Sequence, residues 1–194
     1  MLKNIKNSRG DTLIEVLFAI SVFGLVVVGS VSIMNQGTAI SQRALEITLV
    51  RNEIDAQAEA LRFIHDSYVS AYPNVSDGYA AEWVEIVGKS EGVTQASDLG
   101  TCLLSLSSSA KPFAINTRDA SLMAVANLTS TVSTYSQVRY GSTPTAEGIW
   151  IEAVPSASQS NLGYIDFHIR ACWQSIGQTM PVTLGTIVRL YEPR

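Results

Sequence analysis

The chain has no proline before Pro73, no charged residue between Glu15 and Arg43, only two histidines and only two cysteines. Each scarcity excludes something. Without proline, nothing upstream of Pro73 is forced to break a helix. His65 and His168 stand alone, and no C-x-x-C, H-E-x-x-H, G-x-S-x-G or P-loop pattern occurs. Hydrolytic, redox and metal-dependent catalysis therefore lack their usual constellations. Asp166, His168 and Cys172 share one strand face, but a spacing of i, i+2 and i+6 is too loose to define a metal site. We expect no catalytic residue, no metal and no cofactor. Lys or Arg blocks are also missing beyond residue 10. Three of the 13 basic residues, Lys3, Lys6 and Arg9, precede Gly10, which leaves 10 against 17 acidic residues. An acidic remainder disfavours a nucleic-acid partner and leaves room only for a local patch.

In place of charge the sequence has an apolar run from Val16 to Met34. As a helix, about 19 residues rise roughly 28 Å, the thickness of a bilayer core. The basic residues before the run put the N-terminus in the cytoplasm and everything after residue 35 outside. Gly24 and Gly29 interrupt the run. They could allow close helix approach in a membrane, local loosening of the helix, or nothing beyond tolerated small residues. A secretory signal is the competing reading, with Gly37-Thr38-Ala39 as a loose cleavage pattern. The apolar run exceeds the core of such signals, and the helical pattern continues through the cut. With the following region exported, Cys102 and Cys172 could pair. A bridge closing about 70 residues is worth roughly 4 kcal/mol, and two buried free thiols are the alternative.

From Ile40 onward the apolar period is helical: Ile40, Ala44, Ile47, Val50, Ile54, Ala58, Leu61, Ile64 and Tyr68. Arg51 with Asp55, and Glu59 with Arg62, sit at contact spacing. One helix is predicted from about Thr12 to Tyr68, apolar all round at first and amphipathic later. Beyond Pro73, β-branched and aromatic runs predict strands at Trp83–Val87, Cys102–Leu106, Gly148–Val154, Tyr164–Trp173 and Val182–Tyr191. The last two read as a hairpin through Gly177 and Pro181. Ile165, Phe167, Ile169, Ala171 and Trp173 share one face, and Val182, Leu184, Val188 and Leu190 share a face of the next strand. Ser107–Thr117 and Thr129–Thr145 read as polar loops, with a short helix or strand at Ala120–Leu128. The expected class is α+β, with the amphipathic half of the helix covering an antiparallel sheet.

The remaining candidate site lies at the start of the helix. Thr12 and Glu15 form an S/T-x-x-E capping box, and a carboxylate in the first turn suits the helix dipole. Glu15 also abuts hydrocarbon, where an unpaired charge costs a few kcal/mol and calls for a specific partner. A cut after Gly10 would free the α-amine of Asp11, which could meet Glu15 of a neighbouring copy.

The stretch Arg9-Gly10-Asp11-Thr12-Leu13-Ile14-Glu15-Val16-Leu17, followed by the apolar helix, resembles type IV prepilins and type II secretion pseudopilins. The likeness covers roughly residues 1–60. It implies a leader at 1–10, a long helix at 11–70 whose 16–34 half spans the membrane or fills a filament core, and a β-rich extracytoplasmic head at 71–194. It further implies cleavage between Gly10 and Asp11 by a prepilin peptidase, N-methylation of Asp11, and pairing of Glu15 with a neighbour's terminus. Other pilin subunits and a platform membrane protein would be the partners, and a membrane-inserted precursor would pass into an extracellular or periplasmic filament. Gly24 falls where pilin helices loosen; Ser32 stands where a proline is common, and Asp11 replaces the usual Phe or Met. A large head and this Asp11 lean toward a minor subunit. The competing classes are a pilus-associated adhesin or DNA-uptake module, and a single-span anchored extracytoplasmic protein.

Overall fold

The computed structural model describes residues 11–75, 78–97, 111–123, 125–126, 134–156 and 163–193, with the backbone alone at Asp11. The layout is α+β. A helix α1 (Asp11–Ala71) is followed by a short helix α2 (Tyr79–Ser90) and by strands β1 (Ala114–Ile115), β2 (Leu122–Met123), β3 (Val125–Ala126), β4 (Gln137–Arg139), β5 (Thr145–Glu147), β6 (Ile149–Pro155), β7 (Tyr164–Trp173) and β8 (Val182–Tyr191). Contacts divide the chain into a unit Met1–Gln42 and a unit Arg43–Arg194, so the second unit takes in the later part of α1.

The unbroken helix follows from the absence of proline; Ser21, Ser30, Thr48, Ser67 and Ser70 bond back to carbonyls four residues earlier, so their hydroxyls are satisfied within the helix. The expected end near Tyr68 lies within one turn of the observed one. Glu59 and Arg62 form the expected ion pair at 2.5 Å. Arg51 and Asp55 do not come within ion-pair distance.

In the second unit, β6, β7 and β8 form one antiparallel sheet in that order. Strand β7 pairs with β8 along its whole length, from Tyr164 opposite Tyr191 to Trp173 opposite Val182. Alternation then decides the faces. Ile165, Phe167, Ile169, Ala171 and Trp173 point into the core, joined by Ile149, Ile151 and Ala153 from β6 and by Val188 from β8. Val50, Ile54, Ala58, Leu61 and Ile64 of α1 complete that core. Ala44 and Ile40, expected on the same stripe, are exposed. At that end of the sheet Trp173 Nε1 and Ser175 Oγ donate to Glu46 Oε2, at 3.1 and 2.6 Å.

Two sequence expectations need correction. Trp83–Val87 is not a strand but the middle of α2. Its β-branched density suggested extension, but Ala80, Trp83, Ile86 and Ser90 are buried at steps of three and four, the helical period. Gly78, at φ 65, precedes the helix, and Lys89 pairs with Glu85 one turn away. The stretches read as polar loops also carry short strands: β1 lies within Ser107–Thr117, β4 within Thr129–Thr145, and β5 begins at Thr145. The short element expected at Ala120–Leu128 is β2 with β3. Strand β3 runs parallel to β5, and β4 antiparallel to it. Cys102–Leu106 lies outside the described residues.

Local polar bonds fix these short strands. Gln57 of α1 is fully buried. Its Nε2 donates to the Ile115 carbonyl at 2.7 Å, and its Oε1 accepts from the Ile115 amide at 2.8 Å. One side-chain amide thus stands in for a neighbouring strand of β1. On the other side, Phe113 and Ile151 exchange both backbone bonds.

Candidate functional site

In the first unit, the described helix is apolar around its whole circumference and carries no burial. Its most apolar 18-residue window has a mean hydropathy of 2.6 with none of it buried. Leu13, Phe18, Phe23, Leu25 and Met34 are among the large side chains left exposed. Length and composition suffice to cross a membrane; an N-terminal signal sequence meets the same criteria. The hydroxyls of Ser21 and Ser30 donate to Leu17 and Val26 carbonyls at 2.8 Å, so neither needs a polar partner outside the helix.

Glu15 stands in the second turn with its side chain exposed, and it is the one charged residue from Thr12 to Gln42. Among the described residues nothing lies within ion-pair distance of it. Thr12 is exposed and already helical, because α1 includes Asp11. Thr12 therefore does not occupy the N-cap, and the expected capping box with Glu15 is not the arrangement seen. Gly10, and the side chain of Asp11, lie outside the described residues. Gly24 and Gly29 are helical, and a Cβ built on either meets nothing within 4 Å. Among the described residues no neighbour requires glycine there.

The second unit holds polar constellations that sequence reasoning missed. Glu152, 1% exposed, accepts from Trp150 Nε1 and from the Ser97 amide, each at 2.7 Å. Arg170 donates to the Ser97 carbonyl and lies 3.8 Å from Glu152. The four residues form a closed network on the sheet face away from α1. The signal was present: one carboxylate in the otherwise apolar run Ile149–Pro155, opposite a strand carrying Arg170. His168 beside it has its proton affinity lowered by burial and then by Arg170. Asp166 receives two bonds of 2.7 Å from Arg189, which hold its carboxyl below the usual range. A shallow cavity of about 320 Å³ lies over His168, Arg170 and Gly185.

This geometry does not assemble a metal set. Asp166 is engaged by Arg189, and Cys172 is buried and disulfide-bonded. Among the described residues no group of three or more His, Cys, Asp or Glu could hold an ion. Cys102, the expected partner of Cys172, lies outside the described residues. His65 contacts the Tyr191 carbonyl through Nε2 at 2.8 Å and the Trp83 ring at 4.8 Å, which ties α1 to the end of β8.

Compared with family models, with curated proteins and with solved structures, the chain matches none.

Proposed function

We propose that the chain is a structural subunit, pilin-like or pseudopilin-like, that is inserted in a membrane through Val16–Met34, cleaved after Gly10 and assembled into a filament through α1. A type IV pilin-like arrangement, with the early helix in lipid or in a filament core and the head outside, is part of this reading. Its partners are sister copies or related subunits, a prepilin peptidase and a platform membrane protein. The observation that carries the reading is the exposure of the apolar helix from Val16 to Met34, preceded by Glu15, which has no ion-pair partner among the described residues. So much apolar surface is not left in water. Lipid covers it before assembly, and neighbouring helices cover it afterward. The chemistry at Glu15 then follows. A carboxylate at the edge of hydrocarbon is stabilised by a cation, and the Asp11 α-amine of an adjoining subunit supplies one.

Glu15→Gln tests this. The replacement keeps shape and helix propensity and removes the charge. Incorporation into sheared filaments should fall at least about tenfold, the equivalent of 1.4 kcal/mol, while the amount in the membrane stays constant. Wild-type incorporation of the variant would remove the pairing role.

A further inference from the structure

The sheet of β6, β7 and β8 has one edge covered and one edge open. On the β6 side Phe113 exchanges both backbone bonds with Ile151. On the other side β8 runs for 10 residues with no strand beyond it among the described residues. The ladder decides which backbone groups this edge presents. The Glu192 amide donates to the Gly163 carbonyl, in register with Tyr191 opposite Tyr164, and the Cys172 amide donates to Gly148 on the β6 side. Bonded and non-bonded residues alternate along an antiparallel ladder. Val182, Leu184, Thr186, Val188 and Leu190 therefore bond to β7, while Thr183, Gly185, Ile187 and Arg189 turn their amides and carbonyls outward. Tyr191 turns the same way, but its carbonyl is taken by His65 Nε2 at 2.8 Å.

The usual devices that blunt an edge are missing from β8. Its pairing with β7 is unbroken, so it has no bulge. Pro181 and Pro193 lie outside it. Its one charged residue, Arg189, bonds twice to Asp166 at 2.7 Å and lies 4.0 Å over the Tyr164 ring. The guanidinium is thus turned back across β7 and leaves the edge without charge. Thr183, Gly185, Thr186 and Ile187 are all exposed. Thr186 is exposed although it stands between Leu184 and Val188 on the core side of the strand.

We infer that β8 pairs with β8 of a second copy of the chain, antiparallel about a two-fold axis through Thr186. Hydrogen-bonded pairs can join outward-facing residues only. Centred on Thr186, the register sets Thr183 against the partner's Arg189 and Gly185 against the partner's Ile187. Every free amide and carbonyl of these four residues is then satisfied, and the Tyr191 carbonyl is left to His65. Sliding Ile187 onto the axis would draw that carbonyl into the ladder. The side chains agree with the register. Gly185 leaves room for Ile187, and Arg189 faces a threonine rather than a like charge. On the core side Thr186 meets its counterpart in a close non-bonded pair, and Val182 and Leu184 meet the partner's Leu190 and Val188, which extends the apolar face. Subunits of a polar filament all point one way, so no two-fold axis relates them. The β8 pair is therefore a contact apart from the assembly proposed above, and it involves only the second unit.

The test uses the full chain in excess nonionic detergent, with Thr186→Cys, Thr183→Cys or Ile187→Cys introduced singly. Cys172 is already disulfide-bonded, so the new thiol is the reactive one. A non-bonded antiparallel pair sets its Cα atoms about 4.5 Å apart, within disulfide range, whereas Thr183 and Ile187 stand more than about 7 Å from their own counterparts in this register. Under mild oxidation, linked dimer from Thr186→Cys should exceed that from either other variant by at least about fivefold. Light scattering of Thr186→Lys and of Thr186→Glu, each alone, should give a monomer, and an equal mixture should restore a dimer, because opposite charges then meet across the axis. Equal linkage at 183 and 186 would mark random collision and overturn the inference, as would greater linkage at 187 or a mixture that stays monomeric. A wild-type chain that remains monomeric, with or without a strand of another protein on the edge, would overturn it as well. None of these results bears on cleavage after Gly10, so the filament reading is tested separately.

Discussion

Replacing Gln57 with leucine should be among the most damaging single changes in the head, although Leu is apolar and of similar size. Gln57 is fully buried, and its amide satisfies both backbone groups of Ile115, itself fully buried. Leucine would fill the space but leave an N–H and a C=O with no partner. Each orphaned group costs about 1–3 kcal/mol, so the pair should cost about 2–6 kcal/mol. For a domain of this size each kcal/mol lowers the melting temperature by about 2–4 °C, so a fall of about 10 °C is expected. Thermal unfolding of the full chain in detergent, followed by near-ultraviolet circular dichroism, reads this directly. A second variant separates hydrogen bonding from packing. Gln57→Glu retains an acceptor for the Ile115 amide but faces the Ile115 carbonyl with an oxygen. It should approach wild-type stability only at acid pH, where the protonated carboxyl can donate. If Gln57→Leu unfolds within about 2 °C of wild type, less than 1 kcal/mol on that scale, the clamp is not what holds β1 to α1.

Three further outcomes follow from the same geometry. Gly185→Ala should destabilise by about 1–2 kcal/mol, because its Cβ would lie 3.0 Å from the Ile169 carbonyl oxygen, whereas Gly88→Ala, with nothing within 4 Å, should stabilise α2 by about 0.5–1 kcal/mol; equal signs in a melting comparison would contradict the contact geometry. Burial raises the Glu53 carboxyl above 4.5, and one of its oxygens is buried without a partner, so the folded state binds that proton more tightly than the unfolded chain does. Its contribution to stability therefore declines as pH rises from the unfolded value through the raised folded value, and urea titrations across that window should show a slope that Glu53→Gln flattens. The Asp166 carboxyl is depressed by Arg189, so its contribution is present above the ordinary carboxylate range and is lost on acidification through its lowered value; Asp166→Asn should abolish that acid-side loss and leave stability at pH 7 slightly lower.

Much of this fold could be read before the structure, for identifiable reasons. The long helix was legible because a proline-free stretch with a sustained period leaves few alternatives. The ends of β7 and β8 were legible because strict alternation, bounded by Gly177 and Pro181, has one solution. Helix α2 was misread because Trp83, Val84, Ile86 and Val87 favour a strand locally, while the burial that makes them helical depends on Phe167 of a strand far along the chain. The strands β1, β4 and β5 were hidden for a different reason. Two or three residues carry no period, and their place is set by distant partners such as Gln57 rather than by their own side chains. The candidate site divides the same way. Glu15 was visible as a lone charge before an apolar run, whereas the capping role of Thr12 depended on a helix start that the structure puts no later than Asp11. Strand β8 was visible as the partner of β7, but which of its edges stays open required the fold.

The central claim is that the chain matures by losing its basic leader and then assembles through the helix that follows. Intact-mass measurement of the chain recovered from purified filaments tests it most directly. The account requires a subunit that begins at Asp11, with or without an added methyl group. A filament-borne chain that retains Met1, or one that starts at Ile40 after the whole apolar helix has been removed, would contradict it.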